Sequence, residues 1–223
     1  MLARRIGNRE LVMMKLLSAS PSPYARKVRI ALAEKGLPFE LLTEVPWNAD
    51  TTTPRYNPLE KLPVLILEDG TTVYESRHIL EYLEVKFPHP PMFPEAPDDF
   101  LAAKRLEVLA DGICDAAVLV IFERMRPQDN RSVPWEARQR RKIEGGFTEV
   151  ARLVPADGYC VGGTFGLGDI AVGALLDYIS LRLPEIDWSD KYANLAGLRE
   201  RLSQRPSFQD TIPRVQQIDP AVV

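Results

Sequence analysis

The sequence predicts an α/β domain at the amino-terminal end of the chain and an all-α helical bundle after it. Before residue 87, short apolar runs alternate with helical stretches in the order β-α-β followed by β-β-α. Five prolines fall within residues 87–97, where neither a helix nor a central strand can continue. The predicted organisation is an extension over 1–13, an α/β domain over 14–86, a proline-rich linker over 87–97 and a helical domain over 98–223.

The first helix has sequence signals at both of its ends. Ser22 is the expected N-cap, Pro23 suits the first helical position, and Gly36 is the expected stop. Ala25, Val28, Ala31 and Leu32 form the predicted buried stripe. The charged side chains of the same helix, Arg26, Lys27 and Arg29, are expected to lie in water.

A hairpin and a second helix are predicted next. Apolar runs over 64–67 and 72–74 flank Asp69-Gly70, a dipeptide typical of tight hairpin turns with positive φ angles. Ser76 is the expected cap of the helix that follows. In the second half, helical periodicity predicts helices over 100–124, 135–153, 168–183 and 195–202.

The composition is that of an ordinary folded protein of 223 residues, with 45% hydrophobic and 26% charged residues. Lys and Arg number 28 against 31 Asp and Glu, and this near balance argues against a nucleic-acid partner. No stretch approaches the length of a membrane span, and the first residues lack the apolar core of a signal peptide. We therefore expect no nucleic-acid or membrane partner, and any anionic ligand must be bound by local groups.

Cysteine and histidine usage predicts a cytoplasmic protein without a metal site. Cys114 and Cys160 are the two cysteines, and neither has a CxxC or Cys/His spacing around it, which favours a reducing compartment. The two histidines, His78 and His89, are too few for a convincing metal site.

Three local features are candidates for a binding site, and each has a purely structural alternative. Ser22 places a hydroxyl at a helix N-terminus, a setting that favours a thiolate, or it only caps its own helix. Pro63 is a strand-entry proline; if its bond is cis, the Leu62 main chain is available to an extended peptide. Glu75 and Ser76 suit the ammonium and carboxylate of an amino-acid head group, or are a solvated residue and a cap.

In this order, the segments 22–28, 57–65 and 75–76 resemble the cytosolic glutathione transferase superfamily. The segment 110–116 is similar to bacterial glutathione transferase-like proteins that have a serine before the first proline. Segments 165–170 and 205–208 resemble the family's helix-start box and its carboxy-terminal signature, so the resemblance covers about residues 14 to 210. The chain departs from the family at Gly166, where Ser or Thr is usual, leaving Asp169 to accept the Gly166 N–H as half of a capping box.

The resemblance implies a thioredoxin-like amino-terminal domain, a cis Leu62-Pro63 bond and a homodimer. It also implies that glutathione, the co-substrate, lies extended along Leu62 and Pro63 with its γ-glutamyl head at Glu75 and Ser76. The sulfur then lies near Ser22, the expected catalytic residue, which donates a hydrogen bond to it. Ser20 and Tyr24 are the reserve candidates for that donor.

The second substrate is expected to be a small hydrophobic electrophile bound between the domains. Its expected position is against the start of the long helix that contains Asp111, Cys114 and Asp115, although these residues are equally well explained as core or solvated positions. Trp47 and Asn48 are further candidates for the border of the site. Three functions remain open: a glutathione transferase, a glutathione-binding regulatory protein, and a thiol reductase or peroxidase. The third generally uses a cysteine where this chain has Ser22.

Overall fold

The computed structural model describes residues 13–219, and its amino-terminal part is a mixed four-stranded sheet with helices. The strands are β1 (Met14–Ser18), β2 (Phe39–Thr43), β3 (Val64–Ile66) and β4 (Thr72–Tyr74), in the order β2-β1-β3-β4. β1 is parallel to β2 and antiparallel to β3, and β3 is antiparallel to β4. Helix α1 (Pro23–Glu34) connects β1 to β2, and α2 (Ser76–Lys86) follows β4. The predicted α/β fold is confirmed.

The rest of the described chain is helical, as predicted. Its helices are α3 (Pro97–Met125), α4 (Val133–Leu153), α5 (Leu167–Arg182), α6 (Trp188–Lys191), α7 (Ala193–Ser203) and α8 (Pro206–Gln209). The four-residue helices α6 and α8 were not predicted, because one turn is too short to show periodicity. A single cluster of buried apolar side chains runs from β1 and α1 into α3 and α5, so the two halves share one core.

The domain limits stay a prediction, and most of the proposed extension over 1–13 lies outside the described residues. Within residues 13–219, no helix is long and apolar enough to cross a bilayer.

Both ends of α1 form as their sequence signals predict. The Ser22 hydroxyl oxygen accepts a hydrogen bond from the Ala25 N–H at 3.2 Å. At the other end, Gly36 has φ +62°, and the Leu37 N–H donates to the Leu32 carbonyl at 2.9 Å. This is a Schellman motif, in which glycine adopts the left-handed conformation without steric cost.

The hairpin forms where it was expected, but with a longer turn. The Leu67 N–H donates to the Thr71 carbonyl at 2.9 Å, which leaves a three-residue loop. Gly70 has φ +82°, while Asp69 is not in the positive-φ region and instead accepts from the Thr71 N–H at 2.9 Å. A three-residue loop of this kind needs one left-handed residue, and glycine supplies it.

The expectation that Arg26 and Lys27 lie in water was wrong. Their exposed fractions are 2% and 1%, because α1 packs against the helical half as well as against the sheet. The guanidinium of Arg26 lies 2.6 Å from an Asp177 carboxylate oxygen. The Lys27 ammonium lies 2.7 Å from Asp111 and 3.3 Å from Glu107, both on α3. The paired carboxylates are what make burial of these cations tolerable. Arg29 is half-buried.

The half capping box at α5 forms as expected, and the structure explains its glycine. The Asp169 carboxylate accepts from the Gly166 N–H at 3.0 Å and from the Cys160 N–H at 2.9 Å. A Cβ atom at Gly166 would lie 2.7 Å from the Met92 carbonyl oxygen. The main chain before α3 therefore occupies the space that the family's usual Ser or Thr would need.

Adjacent glycines in α4 provide a matched test of the α3–α4 contact. A Cβ atom at Gly146 would lie 2.4 Å from Cγ1 of the buried Ile113, whereas nothing lies within 4 Å of one at Gly145. We expect Gly146→Ala to lower the free energy of unfolding by about 1 to 3 kcal/mol through overpacking. Gly145→Ala should raise it by about 0.5 to 1 kcal/mol through helix propensity. Urea denaturation measures both, and equal shifts of the two midpoints would contradict the packing argument.

Candidate functional site

A cleft of about 500 Å³ separates the α/β part from helices α3 and α5. The five residues that the resemblance assigns to the glutathione site all line it: Ser22, Leu62, Pro63, Glu75 and Ser76. They come from three separate loops, which the sheet brings together at one edge. The structure thus places the proposed residues around one cavity, and their role in binding stays a proposal.

Ser22 occupies the corner between β1 and α1. Its hydroxyl oxygen accepts from the Ala25 N–H, so the hydroxyl proton is not used by the cap. A hydroxyl can accept and donate at the same time. The capping role and the role as a donor to sulfur are therefore compatible, and the N-terminus of α1 adds a favourable field for an anion.

The Leu62–Pro63 bond is cis, as the resemblance implied. Leu62 precedes β3 and lies outside the strand register, and its main-chain N–H and C=O have no hydrogen-bond partner among residues 13–219. Buried Asn57 holds the preceding loop: its side-chain amide donates to the Lys61 carbonyl at 2.8 Å and accepts from the Leu59 N–H at 2.9 Å. Sequence analysis did not assign Asn57 this positioning role, although it belongs to the Asn-Pro pair in the family-like segment.

The N-terminus of α2 differs in detail from the prediction. Glu75, not Ser76, is the N-cap, and its carboxylate accepts from the Arg77 N–H at 3.1 Å. Glu75 has φ +73°, an uncommon conformation for a residue other than glycine. Ser76 is the first helical residue and is buried. Strained backbone of this kind is often found at ligand sites, so Glu75 remains a candidate for binding.

The two reserve hydroxyls are less suited to contact a sulfur. Tyr24 lines the cleft, but its hydroxyl donates to the Asp115 carboxylate. Burial, together with Cys114 and Asp115 nearby, raises the pKa of Tyr24 well above its ordinary value, so the phenol keeps its proton. Ser20 is not among the cleft-lining residues, and its N–H donates to the Gln216 side chain at 3.0 Å.

The part of α3 that lines the cleft differs from the part expected to contact the second substrate, whose binding position stays a prediction. The cleft wall is formed by the second half of α3, through the residues Asp115, Val118, Leu119, Ile121 and Phe122, and not by the start of that helix. Asp111 and Cys114 are buried and do not line it. Asp111 instead pairs with Lys27 and, at 2.8 Å, with Arg77.

Of the two candidates in the loop after β2, one lines the cleft and the other does not. Trp47 lines the cleft, and its ring lies edge-on to Phe122 with ring centroids 4.5 Å apart. Asn48 does not line the cleft, and its side-chain oxygen accepts from the Asp219 N–H at 3.1 Å.

The carboxy-terminal segment contributes residues that sequence analysis missed. The Gln216 side chain accepts from the Ser20 N–H and donates to the Glu44 carbonyl at 3.2 Å, which ties this segment to the α/β part. Ile218 then lines the cleft. An extended segment without periodicity carries no sequence signal for such a contact. Tyr178 and Arg182 of α5 also line the cleft and were not proposed.

Neither cysteine has the environment of a reactive thiol. Cys114 and Cys160 are both buried and unpaired. Burial, followed by the carboxylate of Asp111 for Cys114 and of Asp169 for Cys160, raises the pKa of each thiol well above its ordinary value. Among residues 13–219, no group of three His, Cys, Asp or Glu side chains is arranged to hold a metal ion.

Comparisons with known proteins agree with this architecture. Residues 21–86 match the model of the glutathione S-transferase N-terminal domain, and residues 133–201 match that of the C-terminal domain. A glutathione S-transferase structure from Methylobacterium radiotolerans, in complex with glutathione sulfonate, superposes with a TM-score of 0.91 at 61% identity. That comparison covers 93% of this chain and 98% of the other.

Two further relatives are similar over almost their whole length. A glutathione S-transferase structure from Methylobacillus flagellatus with glutathione bound has a TM-score of 0.86 at 39% identity, covering 90% of this chain and 100% of that one. The uncharacterized GST-like protein YibF of Escherichia coli is 37% identical over 205 residues, 90% of this chain and 98% of the relative. The fold, the two domain matches and these relatives show that the chain belongs to the glutathione S-transferase superfamily.

Proposed function

We propose that this protein binds glutathione in the cleft and transfers its thiolate to a small hydrophobic electrophile. The observation that carries the proposal is that Ser22, the Leu62 main chain and the Glu75–Ser76 corner surround one cavity with an apolar wall. The structures from Methylobacterium radiotolerans and Methylobacillus flagellatus, which contain glutathione sulfonate and glutathione, support the same ligand here.

In the proposed complex the tripeptide lies extended beside Leu62 and Pro63. The free main-chain N–H and C=O of Leu62 pair with the main chain of the tripeptide, which is then held like a strand added to a sheet. The γ-glutamyl ammonium faces the Glu75 carboxylate, and its carboxylate faces Ser76 and the N-terminus of α2. The sulfur then points to the start of α1, where Ser22 lies.

The groups near Ser22 are sufficient to ionise the thiol. A thiol with a pKa of about 8.5 needs a decrease of about two units, or about 2.7 kcal/mol, to be mostly thiolate at neutral pH. A hydrogen bond to a charged group contributes about 1.5 to 3 kcal/mol, and a helix N-terminus about 0.3 to 1 kcal/mol more. The proposed mechanism therefore needs neither a metal nor a separate general base. The thiolate attacks the electrophile's carbon and displaces its leaving group.

The environments of the cysteines argue against one competing function, and the cleft is compatible with the other. A thiol reductase or peroxidase needs a reactive cysteine, but this chain has Ser22 at the position where such enzymes generally have one. Both cysteines of the chain are buried thiols with raised pKa values. A regulatory protein that binds glutathione without turnover remains the alternative, because the same cleft serves binding alone. Two unpaired cysteines also support the proposal of a cytoplasmic location.

We further propose a homodimer that uses the outer face of α3. Leu101 and Val108, two helical turns apart on this face, are exposed apolar residues of α3. A second copy of the chain packed against this face would remove both apolar side chains from water. Sedimentation equilibrium should give twice the monomer mass, and a monomer at all concentrations would reject this assembly.

One pair of measurements tests the proposed function. We expect calorimetry to detect glutathione binding and a chlorodinitrobenzene assay to detect conjugation above the uncatalysed rate. Binding without turnover of this or other aryl and alkyl electrophiles would favour the regulatory alternative. Absence of glutathione binding would reject the proposal.

A further inference from the structure

Helix α5 presents two hydrogen-bond donors to the cleft, Tyr178 and Arg182. Both line the cavity, and residues four apart on a helix lie on the same face. Tyr178 is only 5% exposed, whereas Arg182, in the last turn, is half-buried. The phenol and the guanidinium are therefore neighbours on the part of the cleft wall that α5 forms.

Neither donor is satisfied by the protein. Among residues 13–219, no acidic group lies within 4 Å of the Arg182 guanidinium, and no hydrogen-bond partner is present for the Tyr178 hydroxyl. Other arginines on nearby helix surfaces do have carboxylate partners; Arg124 and Arg140, for example, share Glu185. The Tyr178 hydroxyl is not one of the fully enclosed polar atoms that lack a partner, so it is open to the cavity, where it can donate a hydrogen bond to a ligand.

The other charged groups of the cleft leave Arg182 available. Asp115 is the acidic residue that α3 contributes to the cleft, and it already accepts from Tyr24. Glu60, Lys61 and Glu75 belong to the α/β side, where the glutathione backbone is proposed to lie. Burial raises the pKa of Tyr178 well above its ordinary value, while the charge of Arg182 opposes this shift, so the two groups interact and the phenol remains a donor.

We propose that Tyr178 and Arg182 bind an anionic group, of the carboxylate class, on the second substrate. The body of that substrate packs against Trp47, Phe122 and Ile218, while the planar guanidinium and the phenol hydroxyl hold the carboxylate. The inference rests on the proposed function and narrows it, from any small hydrophobic electrophile to one that carries a negative charge away from its reactive carbon.

Two stable conjugates test this inference on the intact protein. S-(p-carboxybenzyl)glutathione and S-benzylglutathione share the tripeptide and the aromatic ring and differ in the carboxylate. We expect calorimetry to show about tenfold tighter binding of the carboxylated conjugate, equivalent to about 1.4 kcal/mol. Arg182→Gln should remove most of that preference, measured as the ratio of the two dissociation constants, and Tyr178→Phe should remove part of it.

Arg138→Gln is the matched control, because Arg138 is an exposed arginine of α4 that does not line the cleft. It should keep the full preference. Equal affinity of the wild-type protein for the two conjugates, or a preference that survives Arg182→Gln, would overturn the inference while the proposed function stands. If neither conjugate nor glutathione binds, the proposed function fails and this inference fails with it.

Discussion

Replacing Lys27 by methionine is expected to lower the free energy of unfolding by about 3 to 5 kcal/mol. The Lys27 ammonium is 1% exposed and lies between Asp111 and Glu107, which are themselves buried. Methionine fills a similar volume but supplies no charge, so two buried carboxylates lose a shared cation. Lys104 and Arg77 each still reach one of them, which keeps the loss within this range.

Lys15→Met is the matched control for this prediction. Lys15 also pairs with a carboxylate, Glu40, at 3.1 Å, but both side chains are 48% exposed. A solvent-exposed pair contributes about 0 to 1 kcal/mol, so this variant should unfold close to the wild-type midpoint. Urea denaturation followed by circular dichroism measures both variants. An unfolding midpoint for Lys27→Met equal to that of Lys15→Met would show that the buried carboxylates of Asp111 and Glu107 do not need the Lys27 charge. If Lys27→Met does not fold, Asp111→Asn offers a smaller perturbation of the same cluster.

Ser22→Ala is expected to raise the pKa of the bound glutathione thiol by about one to two units, because it loses a hydrogen bond to the thiolate. At neutral pH the thiolate fraction, and with it the conjugation rate, should then fall about 3-fold to 25-fold. Affinity for glutathione should change much less, because the tripeptide keeps its proposed contacts with Leu62, Glu75 and Ser76. The α1 cap is lost in the same variant, at a stability cost of about 0.5 to 2 kcal/mol.

Thiolate absorbance of the glutathione complex, measured across a pH titration, separates these effects. In the wild-type complex the thiolate should be present from below neutral pH upward, and in Ser22→Ala the same rise should occur about one to two pH units higher, toward the ordinary thiol pKa of about 8.5. More than about one pH unit above 8.5 the two curves should meet. Ser132→Ala is the control, because Ser132 caps α4 by accepting from the Trp135 N–H and lies outside the cleft. A titration curve for Ser22→Ala that coincides with the wild-type curve would remove Ser22 from the catalytic role.

Much of the fold was predictable because its signals are local. Ser22 and Gly36 specify the ends of α1 through main-chain hydrogen bonds within a few residues of each other. Gly70 marks the hairpin turn for the same reason. The cleft residues proposed from the sequence were found together because the resemblance carried information about contacts between distant segments, which periodicity alone does not contain.

What the sequence determined by itself is therefore the order and type of the main elements and the short segments that line one edge of the sheet. Only the tertiary structure decided which charges are buried, as for Arg26 and Lys27, and which donors remain unpaired, as for Tyr178 and Arg182. It also decided that Glu75 caps α2 and that Gln216 holds the carboxy-terminal segment beside the cleft. The physical reason is that helix ends and turns are stabilised by neighbours along the chain. The burial and pairing of a side chain depend instead on which remote segment packs against it.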